Sequence, residues 1–119
     1  SEANISEEAL EFVLQFVTRN NNRFVHENNY DSTHAYNGES IYGVISSLPS
    51  TPSYKKLTIL RSVVEEILSK NGFENFKIIY EGWKNNGHLI AGKDRPYKRL
   101  KLQKGLPVQQ CFEIKFSID

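Results

Sequence analysis

The chain has 119 residues, 39% hydrophobic and 24% charged, with a formal net charge of +1. That length suits one domain with a real core, and no apolar run approaches the roughly 20 residues that cross a bilayer. The polar, acidic start SEANISEEAL is neither a secretory signal nor an Arg-rich transit peptide, and a single cysteine excludes an internal disulfide.

The near-neutral total hides a split. Residues 1–50 carry Arg19 and Arg23 against Glu2, Glu7, Glu8, Glu11, Glu27, Asp31 and Glu39. Residues 83–104 carry Lys84, Lys93, Arg95, Lys98, Arg99, Lys101 and Lys104 against Asp94 alone. The first element is a helix from an Asn4 cap to about Arg19. Ala9, Leu10, Phe12, Val13, Leu14, Phe16 and Val17 fall on one arc of it, and the acids of its first turn suit the helix dipole. Residues 20–38 read as loop, with 23–26 extended and Asn37-Gly38 as a turn. Ile41, Val44, Ile45 and Leu48 at i, i+3, i+4 and i+7 predict a short second helix ended by Pro49. Thr51 and Pro52 read as the start of a third helix, striped by Leu57, Leu60, Val64, Ile67 and Leu68. It stops at Asn71-Gly72.

From Asn75 the expected period is two. Phe76, Ile78 and Tyr80 alternate with Lys77, Ile79 and Glu81, and Asn85-Asn86-Gly87 reads as a hairpin turn into a strand at 88–91. A further strand is expected over 97–102 and a last one at 112–118, where Phe112, Ile114, Phe116 and Ile118 alternate with polar residues. The fold class expected is α+β. It would have three N-terminal helices followed by a three- to four-stranded antiparallel sheet, helices on one face, in a single domain 1–119 excised from a longer chain.

Most catalytic signatures are absent: no phosphate-binding glycine loop, no G-x-S-x-G, no H-E-x-x-H and no EF-hand spacing. No cofactor or metal is expected. His26 and His34 near Glu27 and Asp31 read as ordinary loop residues, and Cys111 as a structural thiol. The basic run is the functional lead. Its cations neutralise phosphates and release counterions, while Trp83, His88 and Tyr97 are candidates to stack on unpaired bases.

The leading expectation is a non-catalytic, intracellular nucleic-acid-binding module. Its contacts would be Trp83, Lys84, His88, Lys93, Arg95, Tyr97, Lys98, Arg99, Lys101 and Lys104. The charge split equally suits a protein–protein interaction domain docking on an acidic surface. A third reading is a small metal-free nuclease using His88 for proton transfer and Arg95 for phosphate charge. An edge strand loaded with lysine against edge-to-edge pairing would carry the same residues. The order of helices then hairpin over about 39–102 resembles the winged-helix arrangement. That resemblance implies a helix in the major groove and a hairpin on the backbone.

Overall fold

The computed structural model describes residues 2–27, 40–90, 92 and 94–117. Helix α1 (Glu2–Arg19) is followed by a single 3₁₀ turn at 21–23, β1 (Phe24–His26), β2 (Gly43–Ser47) and β3 (Tyr54–Leu60). Then come α2 (Arg61–Lys70), α3 (Phe76–Asn85), β4 (Lys98–Lys101) and β5 (Val108–Ser117). The α+β class stands, but the expected layout does not. Strands β1 to β3 precede α2, and the sheet has five strands in the order β1-β2-β3-β5-β4. It is mixed: β1 and β2 run parallel and the other pairs antiparallel.

Three elements differ from expectation for physical reasons. The residues read as a second helix form β2, whose Gly43, Val44 and Ile45 are all buried. Flanked by β1 and β3, this strand buries both faces, which erases the period of two. Gly43 is fixed by close approach: a Cβ there would lie 2.1 Å from the Thr58 carbonyl oxygen. The expected third helix is half strand. Residues 54–60 form β3 and pass into α2 at Arg61 with no intervening loop. The supposed strand from Asn75 is α3, capped by the Asn75 side chain, which accepts the Ile78 N–H at 3.4 Å. Asn86-Gly87 ends that helix instead of turning a hairpin, and 88–90 contributes only a bridge between Leu89 and Ile114. The helix α1 is already wound at Glu2, ahead of the expected Asn4 cap. Ala91, Lys93, Ile118 and the expected Asn37-Gly38 turn lie outside the described residues, as do Asp31 and His34. The winged-helix resemblance rested on helices at 41–48 and 51–70. The helix pair that does precede a hairpin is α2 and α3.

One sheet face packs on the helices. Phe24, Ile45, Leu57, Ile59, Phe112 and Ile114 meet Ala9 and Val13 of α1, Val64 and Leu68 of α2, and Ile79 and Trp83 of α3. Trp83, Tyr80 and Phe112 form its aromatic centre, with Tyr80 and Phe112 centroids 4.6 Å apart and Trp83 edge-on to Phe112 at 5.9 Å. The opposite face holds a smaller cluster of Val25, Val44, Leu60, Leu102 and Cys111. No helix among the described residues is long and apolar enough to cross a membrane.

Candidate nucleic-acid interface

Helices α2 and α3 follow one another, joined by residues 71–75. The first stops where Asn71 turns its side-chain amide back onto the Ile67 carbonyl at 2.8 Å. Gly72 then takes a φ of +83°, which only glycine adopts without strain. Asn75 caps the second helix four residues after Asn71. Ile79, Tyr80 and Trp83 hold α3 to the core, leaving Lys77, Glu81 and Lys84 exposed on its outer side. The hairpin β4–β5 follows, turned by residues 102–107 with Gly105 at φ +89°. Strand β3 leads directly into α2 and is hydrogen-bonded to β5. The helix pair and the hairpin therefore hang from neighbouring strands of one ladder.

A cleft of about 450 Å³ lies between α3, the start of α2 and residues 94–97. At its base Glu65 accepts hydrogen bonds from Arg61 Nε at 2.9 Å and from the Tyr80 hydroxyl at 2.8 Å. The Arg61 guanidinium also donates to the Gln110 side chain at 3.1 Å and lies over the Tyr97 ring, 4.4 Å from its centroid. Arg61 thus ties α2, the Tyr97 segment and β5 together. Burial and then the Glu65 hydrogen bond hold the Tyr80 phenol protonated well above its ordinary range. Lys77, Lys84 and Arg95 stand on the cleft rim beside Glu81 and Asp94.

The expected contact residues separate into groups. Trp83 is fully buried, and its indole N–H donates to the Ser6 carbonyl at 2.7 Å, so no ring face is open to a base. His88 Nε2 lies 2.8 Å from a Glu7 carboxylate oxygen, tying the end of α3 to α1. That use of the imidazole works against the nuclease reading, which needs it turned to a substrate. Lys98 donates to Glu113 at 2.6 Å, and Lys56 lies 3.2 Å from the same carboxylate. Burial alone would raise the Glu113 pKa. The Lys98 hydrogen bond and the Lys56 charge outweigh it, so the carboxyl sits below its ordinary value. Lys98 is therefore engaged within the sheet.

Lys84, Arg95, Arg99, Lys101 and Lys104 are all exposed. Arg99 and Lys101 pair with Gln110 and Val108 across β4–β5, while Leu100 and Leu102 pack with the smaller cluster. None of Lys77, Lys84, Arg99, Lys101 and Lys104 forms an ion pair with a described residue. Tyr97 is half-buried, edge-on to Phe112 at 6.5 Å, and the Arg95 guanidinium is 5.9 Å from its centroid. His26, expected as a loop residue, sits at the end of β1 with Nε2 2.7 Å from the Asn21 side-chain oxygen. Among the described residues, no three His, Cys, Asp or Glu side chains are grouped to hold a metal ion.

Lys77 and the Arg61 network were missed as site features. Their signal was the spacing of Phe76, Ile79, Tyr80 and Trp83 at i, i+3, i+4 and i+7 behind an Asn cap. That spacing marks a helix and turns Lys77 outward beside Lys84.

The profile of the Cch helix turn helix domain family matches residues 4–119. Among solved structures, the chain is similar to "SCCmec type IV Cch - active helicase", with a TM-score of 0.64 at 17% identity. The likeness covers 95% of this chain and 18% of that one, so the chain spans under a fifth of the length of that relative. No curated protein matches.

Proposed function

The chain belongs to the Cch helix turn helix domain family, and on that footing we propose that it binds nucleic acid through α3 and the β4–β5 hairpin. Lys77 and Lys84 on α3, and Arg99, Lys101 and Lys104 on the hairpin, meet phosphates. Arg95 and Tyr97 lie between the two, with Lys93 beside them in sequence. The observation that carries the reading is that five exposed cations, free of ion pairs with described residues, stand on α3 and on the β4–β5 hairpin that follows it. Trp83, His88 and Lys98 take no part, because each is spent inside the fold.

Neutralising phosphates releases counterions, so affinity falls with salt in proportion to the contacts made. With all five cations engaged, affinity drops roughly 500-fold between about 50 and 200 mM salt. Fluorescence anisotropy of a labelled oligonucleotide measures this, and Lys101→Ala lowers the slope by about one unit. An oligonucleotide that stays unbound at low salt, or binding indifferent to salt, refutes the reading.

The position of β4 at the sheet edge favours a second reading, in which its cations guard the edge against pairing with another chain. Under that reading Lys101→Ala promotes self-association, read by light scattering, and leaves oligonucleotide affinity unchanged.

A further inference from the structure

The cleft beside α3 suits a flat, uncharged body with an anion at its edge. Phe76, Tyr80, Pro96 and Tyr97 supply its apolar lining. The polar groups at its base are already paired with one another, since Glu65 takes both the Tyr80 hydroxyl and Arg61. An occupant therefore meets no unsatisfied group there and need not supply one. The rim holds Lys77, Lys84 and Arg95 against Glu81 and Asp94. That balance holds one phosphate and is too weak for a continuous phosphate track. The volume of about 450 Å³ lies within the roughly 300–1,000 Å³ of ligand-sized pockets.

The outer side of α3 points the same way. Glu81 sits between Lys77 and Lys84, so a duplex backbone laid along the helix meets a carboxylate between two amines. A base held in a duplex would have to leave its stack before entering the cleft. An unpaired base enters directly and finds the Phe76 ring and the Arg61–Tyr97 pair.

We propose that this cleft receives the base of an unpaired nucleotide, with the adjoining phosphate on Lys84 and Arg95, so that the preferred ligand is single-stranded nucleic acid. The inference rests on the nucleic-acid reading above and narrows it. Its recognition is by stacking, which every base supports, so it carries little sequence preference.

The test compares a short labelled oligothymidine with a blunt duplex by anisotropy at low salt, using wild type, Phe76→Leu and Arg95→Ala. Wild type should bind the single strand at least about tenfold more tightly than the duplex. Phe76→Leu keeps an apolar side chain but removes the stacking face. Its single-strand affinity should fall about tenfold, the loss expected for one base–aromatic stack. Its duplex affinity should stay within about twofold. Arg95→Ala alters an exposed side chain, so it keeps the test decisive should Phe76→Leu unfold; it should weaken the single strand more than the duplex. A duplex bound as tightly as the single strand overturns the inference. So does a single-strand affinity unmoved by both variants. Either outcome leaves the nucleic-acid reading standing, whereas failure to bind both probes overturns the two together.

Discussion

Replacing Trp83 by Phe separates a core residue from a stacking residue. The indole is fully buried, donates to the Ser6 carbonyl at 2.7 Å and packs edge-on to Phe112. Losing the N–H removes one buried hydrogen bond, worth about 1 kcal/mol. The smaller ring leaves a void of a few tens of Å³, which at about 24 cal/mol per Å³ costs about 1 kcal/mol. Lost burial of the missing ring atoms adds up to about 1 kcal/mol. The sum is about 2–3 kcal/mol. In a chain of this size that lowers Tm by roughly 8–12 °C. The assay is thermal unfolding by circular dichroism, paired with oligonucleotide anisotropy well below the transition. Affinity of the folded variant should match wild type. In the wild type, emission from this sole tryptophan should resist quenching by iodide. A Tm within about 2 °C of wild type, together with a tenfold loss of affinity, would refute the reasoning and return Trp83 to the surface.

Gly43→Ala should cost about 3 kcal/mol or more in urea unfolding. Its Cβ would lie 2.1 Å from the Thr58 carbonyl oxygen, and β2 must lift away from β3; a change under about 0.5 kcal/mol would show the strands to be farther apart. Burial raises the Glu113 carboxyl, but the Lys98 hydrogen bond and the Lys56 charge outweigh it and hold the folded group below the ordinary range to which it returns on unfolding. Its stabilising contribution is thus complete above about pH 5 and is lost as pH falls through the folded value. Glu113→Gln should flatten the dependence of the urea midpoint on pH between about 5 and 3, and an unchanged slope would exclude the Lys56–Glu113–Lys98 cluster as its source. Burial and then the Glu113 charge push the Cys111 thiol up to about 11. The native protein should therefore leave Ellman's reagent unreacted at pH 8 and release one thiol per chain in denaturant. Prompt native labelling would contradict its burial.

The readable parts of the fold were those with one clean face toward the core. Helix α1 and strand β5 each alternate apolar and polar residues at their own period, and both formed as the expected type, though each starts earlier, at Glu2 and Val108. Strand β4 was also legible, with Arg99 and Lys101 outward and Leu100 inward. The middle of the chain was not. Leu57, Leu60, Val64, Ile67 and Leu68 keep a helical spacing straight across the β3–α2 junction, and no turn residue stands between Leu60 and Arg61. In α3 the aromatic and β-branched residues Phe76, Ile78, Ile79 and Tyr80 favour strand by propensity, while packing against α1 and Phe112 imposes a helix. That error moved the candidate site. With α3 read as a strand, Trp83 stood at a hairpin tip; as a helix, its face turns inward and Lys77 comes out beside Lys84. The two side-chain contacts that occupy His88 and Lys98 reach 81 and 15 residues away in sequence, beyond any local pattern.

Strand β5 is the second-to-last in spatial order yet the last to be synthesised, and it joins β3 on one side to β4 on the other. During translation α1, β1, β2 and β3 emerge with no partner for the free edge of β3, and α2 and α3 have no Phe112 or Ile114 to cover. Native pairing of β3 waits for residues 51 to 63 positions downstream, a long loop to close. A nascent chain therefore exposes its apolar strands, an aggregation-prone state, until β5 clears the ribosome.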